Sequence, residues 1–235
     1  MPKKTPLLSV VIPAFNEEHT IGDVISRLKA TMQKISFNNE IIVIDDCSRD
    51  RSAEIARSLN VTVYSLKRHM GKGYALRAGF RKAKGEIIAT VDSDGSHRPE
   101  ELPLLLMPIL QDQADLVIGS RFLRKKPVGG KKFNFAGVRI FNLLVKILTG
   151  AVVSDSQSGY RAMKSAVLDQ IGLASGGYEI ESEMLVKTAL RGFRIMEVPI
   201  SFEQRTYGKS SLDPIVDGFR ILMSIIIPFL KGDRE

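Results

Sequence analysis

Two carboxylates separated by one residue, Asp92 and Asp94, follow directly on the apolar, β-branched run Ile87-Ile88-Ala89-Thr90-Val91. A run of that length and composition reads as a buried strand. Open α/β sheets bind ligands beyond the carboxyl ends of their strands, which places the pair at the mouth of a cleft. Carboxylates that close repel one another unless a cation or a proton lies between them. A hard divalent ion held by one or two carboxylates and by substrate phosphates is the economical solution. Ser93 stands between the two acids and Ser96 two residues beyond them.

Other predicted strands end in polar groups as well. Leu7–Ile12 runs into Pro13-Ala14-Phe15-Asn16-Glu17-Glu18. Asn16 is placed to cap a helix whose apolar positions are Ile21, Val24, Ile25 and Leu28. Glu40–Ile44 runs into Asp45-Asp46, Val61–Leu66 reads as a third strand, and Ala114–Gly119 closes on Ser120-Arg121. Between them His69-Met70-Gly71-Lys72-Gly73 enters a helix, with glycines that let backbone N–H groups approach phosphate. The spacing is not that of a P-loop, and no G-x-G-x-x-G follows the first strand. Strands and helices alternating in this way predict an α/β fold with a doubly wound, mostly parallel sheet. Glu17, Asp45/Asp46, Asp92/Asp94 and Arg121 then converge on one rim.

The second half is more basic and more amphipathic. Arg121, Arg124, Lys125, Lys126, Lys131, Lys132, Arg139 and Lys146 fall between Leu116 and Ser154 with no acid among them. The remaining 26 Lys and Arg equal the 26 Asp and Glu, so this segment carries the whole net charge of +8. Such clustering fits an anionic partner: phosphorylated lipid, membrane headgroups or nucleic acid. Within Phe133–Val153, Arg139, Asn142 and Lys146 share one helical face. The segment reads as an amphipathic helix at a membrane interface or as a core helix. The polar stretch Asp155–Arg161 reads as a turn, Glu179–Leu190 as a helix and Arg194–Phe202 as a strand. Leu212–Leu230 again gathers its polar residues on one stripe, and its apolar run is too short to span a bilayer. With 235 residues and no linker or repeat, the chain is expected to form one domain. The single Cys47 and the lack of a leader-like start fit a reducing, cytoplasmic setting.

Taken together, V-V-I-P-A-F-N-E-E, I-I-V-I-D-D-C-S-R-D, M-G-K-G-Y-A-L, V-D-S-D-G-S, I-G-S-R-F, Q-S-G-Y-R-A and R-T-Y-G-K-S-S resemble the family 2 glycosyltransferases of GT-A fold. Within that family the chain is most similar to the dolichol-phosphate mannose synthase group. The resemblance implies a single GT-A domain over 1–235, with a nucleotide-sugar half over about 1–121 and an acceptor- and membrane-facing half over about 122–235. It implies inverting transfer of a sugar, GDP-mannose being the favoured donor, to dolichyl or another polyprenyl phosphate, with Mg²⁺ or Mn²⁺. Pro13, Phe15, Glu17, Ile44 and Asp46 would hold the nucleoside, with Ser93 beside them. Asp92, Asp94 and Ser96 would form the metal–diphosphate centre, Asp94 being the direct ligand. Arg121 and Arg205 would face the donor and acceptor phosphates. The chain departs from the synthases at Ser96, where they carry Gln, and at Ser211, where they carry Lys; Lys209 is the substitute for the latter. The resemblance also implies a peripheral protein on the cytoplasmic membrane face, with a membrane-anchoring subunit as a further partner.

A phosphate acceptor is already anionic at neutral pH, its second pKa lying near ~6, so no strong protein base is required. A saccharide hydroxyl acceptor needs one, and then Asp155, Glu179, Glu181 or Glu183 is the candidate. UDP-glucose with the same lipid is the nearest alternative donor. A nucleic-acid-binding module is not expected, because no aromatic-interleaved basic surface accompanies the acidic strand ends.

Overall fold

A computed structural model describes residues 7–35, 37–124, 135–203, 205, 207 and 213–231. The first half alternates β1 (Leu8–Ala14), α1 (Ile21–Met32), β2 (Asn39–Asp45), α2 (Ser52–Ser58), β3 (Thr62–Ser65), α3 (Lys72–Phe80) and β4 (Ile87–Thr90). A 3₁₀ turn at Pro99–Glu101 leads into α4 (Leu102–Leu110) and β5 (Leu116–Ser120). The second half contains α5 (Phe135–Thr149), β6 (Arg161–Lys164), α6 (Ser165–Ile171), α7 (Ile180–Leu190), β7 (Ile195–Pro199) and α8 (Val216–Leu230).

Among the described residues seven strands form one sheet in the order β3-β2-β1-β4-β6-β5-β7. The α/β class and the mostly parallel sheet are as expected. The exception is β6, which runs antiparallel to both β4 and β5. Only its first residue, Arg161, falls in the predicted polar turn Asp155–Arg161, no element being predicted over 162–164, and its reversal brings the loop before it to the rim where its neighbours end.

All seven residues of β1 are buried, because the sheet is covered on both faces. Leu8, Val10 and Ile12 pack with Ile21, Val24, Ile25 and Leu28 of α1 and Leu102, Leu105 and Leu106 of α4. Val11 points the other way, into a second core with Ala75, Leu76, Ile180, Met184, Leu185, Ile221 and Ile225. The period of two along the strand thus feeds two helical layers.

One predicted cap is not used. Asn16 takes a left-handed φ of 55° and its Oδ1 accepts the Arg49 N–H at 2.8 Å. The first turn of α1 begins later, with the Glu17 carbonyl accepting the Ile21 N–H. The asparagine ties two loops together because Ser48, Asp50 and Ser52 accept N–H groups of residues 16–18 in return.

Candidate active site

The tips of β1, β2, β4 and β5, the start of β6 and the end of β7 share one rim of the sheet. Asp94 is the most heavily engaged side chain there. Its Oδ1 accepts the Ser96 N–H at 2.9 Å and the Ser96 hydroxyl at 2.6 Å. Its Oδ2 accepts Arg205 Nη2 at 2.7 Å and Nε at 3.1 Å. Burial pushes this carboxyl up, yet the Ser96 hydroxyl, the Arg205 charge and the Ser96 amide outweigh it and hold the pKa at about 2. Arg205 Nη2 also lies 3.4 Å from Glu17 Oε1, so one guanidinium bridges the tips of β1 and β4.

Asp92 is turned to a different cation. Lys72 Nζ sits 2.7 Å from its Oδ1 and 2.8 Å from Glu181 Oε1. Burial favours the neutral amine, but the two carboxylates hold the Lys72 pKa well above its ordinary range. Gly159, just before β6, is pressed against this pair. A Cβ there would lie 2.6 Å from Asp92 Oδ2 and 2.8 Å from Lys72 Nζ. Below them His97 is buried between the Tyr160 and Phe202 rings, its Nδ1 3.8 Å from Asp92 Oδ2.

Arg121 is locked by a partner the sequence did not assign to it. Asp155 is fully buried and accepts Arg121 Nε at 2.6 Å, Nη2 at 2.7 Å and the Arg121 backbone N–H at 3.1 Å. The loop carrying Asp155 is itself pinned by Arg161, which donates to the carbonyls of Ser156, Ser158 and Glu181. Burial lowers the Arg161 pKa to about 10, which leaves it charged at neutral pH.

The residues expected to hold a nucleoside divide into two groups. Pro13 and Ile44 are buried, and Ile44 belongs to the core beneath the rim. The Pro13 carbonyl accepts the Ser93 hydroxyl at 2.9 Å, so that hydroxyl braces β1 against the acidic loop. Phe15, Glu17 and Asp46 stand at the rim itself. Asp46 Oδ1 accepts the Met70 N–H and Oδ2 the Gly71 N–H, both at 2.7 Å. Its carboxyl is pushed up by burial, against those two amides and His69. Lys209 lies outside the described residues, as do Lys125, Lys126, Lys131, Lys132 and Ser211.

The four carboxylates weighed as bases are all committed elsewhere. Asp155 grips Arg121 and Glu181 grips Lys72. Glu183 accepts the Ala174 and Ser175 N–H groups and pairs with Lys187 at 2.9 Å. Glu179 Oε1 accepts the Gly176 and Gly177 N–H groups. For a metal, Asp94 and Ser96 offer hard oxygen donors, and the ionised state of Asp94 suits a divalent ion. Among the described residues no three His, Cys, Asp or Glu side chains converge to hold one by themselves. A metal held there would complete its shell with water or substrate oxygens.

The sequence pattern described as glycosyl transferase family 2 matches residues 9–172. The chain belongs to that family. A dolichyl-phosphate hexose transferase of Haloferax volcanii is 33% identical to the transferase over 93% of this chain and 92% of its own length. A dolichol-phosphate mannosyltransferase of Pyrococcus furiosus is 31% identical over 87% of this chain, which spans only 59% of that protein. Among solved structures, glucosyl-3-phosphoglycerate synthase of Mycobacterium tuberculosis, in complex with Mn²⁺, UDP and phosphoglyceric acid, superposes with a TM-score of 0.76. At 24% identity, over 95% of this chain and 78% of that one, the likeness establishes a shared GT-A fold.

Proposed function

We propose that the transferase moves a hexose, with mannose from GDP-mannose as the favoured donor, to dolichyl or another polyprenyl phosphate at a membrane surface. The observation that carries this reading is that the four candidate bases are tied into ion pairs or backbone hydrogen bonds. An acceptor hydroxyl would need one of them free, whereas an acceptor phosphate brings its own negative charge. The lipid phosphate acceptors in the names of the two relatives support the same class.

In this reading Phe15, Glu17 and Asp46 receive the nucleoside end, and Asp92, Asp94 and Ser96 face the diphosphate. Asp94 and Ser96 would hold Mg²⁺ or Mn²⁺, whose chemistry is to offset charge on the departing diphosphate. Arg205 stands beside Asp94 and can turn from that carboxylate to a phosphate. Arg121, aligned by Asp155, supplies a second fixed cation for the acceptor phosphate. Attack by a phosphate oxygen behind the anomeric carbon breaks its bond to the diphosphate and inverts its configuration. The donor half then comprises about 1–121 and the acceptor half about 122–235, a membrane-anchoring subunit being a further partner. GDP-mannose and UDP-glucose, each radiolabelled, offered with a polyprenyl phosphate and Mn²⁺ or Mg²⁺, test the reading. Metal-dependent label in the lipid from GDP-mannose is the expected result. Label only from UDP-glucose would correct the donor, and label only in an added saccharide would overturn the acceptor class.

A further inference from the structure

Of the polar residues that share a face of α5, Arg139 and Lys146 are exposed and Asn142 is half-buried. Both ends of its amide are used. Nδ2 donates to the Ser154 carbonyl at 2.7 Å, and Oδ1 accepts the Ser156 N–H at 3.1 Å. The side chain thus brackets Asp155, whose carboxylate grips Arg121 through Nε and Nη2. A carbonyl needs a donor and an N–H needs an acceptor, so a carboxylate or an apolar side chain could not serve both.

The backbone of this turn is held from two directions. Glu197 of β7 accepts the Ser154 and Asp155 N–H groups at 2.7 and 2.9 Å, and Arg161 of β6 donates to the Ser156 carbonyl at 2.7 Å. Those holders belong to the sheet. Asn142 belongs to a helix outside it and meets the two groups they leave, the Ser154 carbonyl and the Ser156 N–H. Asp155 and Ser156 are buried, so water does not readily replace a bond lost there. Without Asn142 the turn can tilt about its sheet anchors, and the Asp155 carboxylate tilts with it.

We infer that Asn142 is a positioning residue for Arg121: it fixes the turn 154–156, the turn fixes Asp155, and Asp155 sets the guanidinium that meets the acceptor phosphate. This rests on the role proposed for Arg121 above and adds the side chain that enforces it. It also ties the site to α5, whose residues Ile140, Leu143 and Ile147 are exposed. A displacement of that helix reaches Arg121 through this amide.

Two measurements on Asn142→Ala test the inference. One needs no turnover: the Nε–H proton resonance of Arg121 in heteronuclear NMR spectra, identified by its absence in Arg121→Lys. Its exchange with water should speed by about five- to a hundredfold, the range for weakening one charge-assisted hydrogen bond. The other is transfer to a polyprenyl phosphate in detergent micelles with Mn²⁺, from GDP-mannose or UDP-glucose, whichever the wild type uses. There kcat should fall about ten- to a hundredfold, as for a misplaced catalytic group. Affinity for the matching nucleoside diphosphate, by calorimetry, should stay within about twofold, as for an uncoupled site. In the Arg121→Lys background the same substitution should cost kcat no more than about threefold, because the fork it aligns is already gone. A wild-type Arg121 resonance in Asn142→Ala would overturn the inference, and so would an equal loss of kcat in both backgrounds. If the alanine variant does not fold, Asn142→Asp, which keeps the acceptor for Ser156 and loses the donor to Ser154, decides by the same readouts. A wild-type protein that labels no lipid would instead sink the lipid-phosphate reading, and the Arg121 resonance would then decide the positioning alone.

Discussion

Asp155 gives both carboxylate oxygens to Arg121 and is closed to solvent, which makes it an aligning group for a cation and not a base. Asp155→Asn removes the counter-charge of a nearly buried guanidinium, a change that costs about 3–5 kcal/mol when such a pair is broken. Turnover should fall while the shape of its pH profile stays that of the wild type. A flattened limb in the variant would show a general base after all. Arg121→Lys keeps the charge and loses the planar fork, so kcat should drop about 100-fold with a much smaller loss of melting temperature. Gly159→Ala addresses the neighbouring pair. The three atoms nearest the added methyl are the Asp92 carboxylate oxygens and Lys72 Nζ, side-chain ends that can give, so the loss of stability should lie at the low end of about 1–3 kcal/mol. Donor KM should rise at least about tenfold if, as proposed, Asp92 faces the diphosphate. Steady-state kinetics beside a melting curve separates the two effects. Asp92 and Asp94 were legible in the sequence because they stand one residue apart just beyond a strand end. The Lys72–Asp92–Glu181 link and the Arg121–Asp155 lock were not, since residues 20 to 109 positions apart meet only through the fold.

At the level of elements, the loop between α6 and α7 is clamped onto the start of α3. A Cβ on Gly73 would lie 2.7 Å from the Ser175 carbonyl oxygen and 2.8 Å from that of Gly177, and backbone cannot step aside as a side-chain tip can. Gly73→Ala should therefore destabilise by about 1–3 kcal/mol, measured by urea unfolding. The other side of the clamp is ionic. Burial pushes the Glu183 carboxyl up, but Lys187, Ser175 and Ala174 prevail and hold it below its ordinary value. Its contribution is thus present above the ordinary glutamate pKa, about 4.3, and lost as pH falls through the lower folded value. Glu183→Gln should speed amide exchange at Ala174 and Ser175 at pH 7, and the difference from wild type should fade as Glu183 becomes protonated in acid. The parallel strands and long helices were readable because two-residue and helical periods run through them. β6 was not: its four residues open with a buried arginine, Arg161, so burial of a charge disguised a strand as the end of a polar turn. The seven-residue α6 is too short to show a period.

On the scale of the whole molecule, α5 and α8 pack on each other and each leaves an apolar stripe uncovered. Ile140, Leu143 and Ile147 are 57–67% exposed along α5, and Phe219 and Leu230 are 63% and 74% exposed on α8. Arg139, Lys146 and Arg220 are exposed beside them. The sequence left α5 as either an interfacial or a core helix. The fold buries Val145 fully and leaves Leu143 and Ile147, two residues on each side, open to solvent. No helix among the described residues is long and apolar enough to cross a membrane. Attachment to a bilayer would therefore come from shallow insertion of these stripes, aided by the cations, each worth about 1 kcal/mol near an anionic surface. The two contributions separate experimentally. Added salt should weaken flotation with anionic vesicles by screening the basic residues. Leu143→Ser together with Phe219→Ser should abolish flotation at low salt, because the apolar anchor is removed and the charge is not. Nucleotide binding should be unchanged in that double variant, whose substitutions lie on the outer faces of both helices. A double variant that floats like wild type would assign the stripes to a protein partner, such as a membrane-anchoring subunit, and leave the cations to hold the lipid surface.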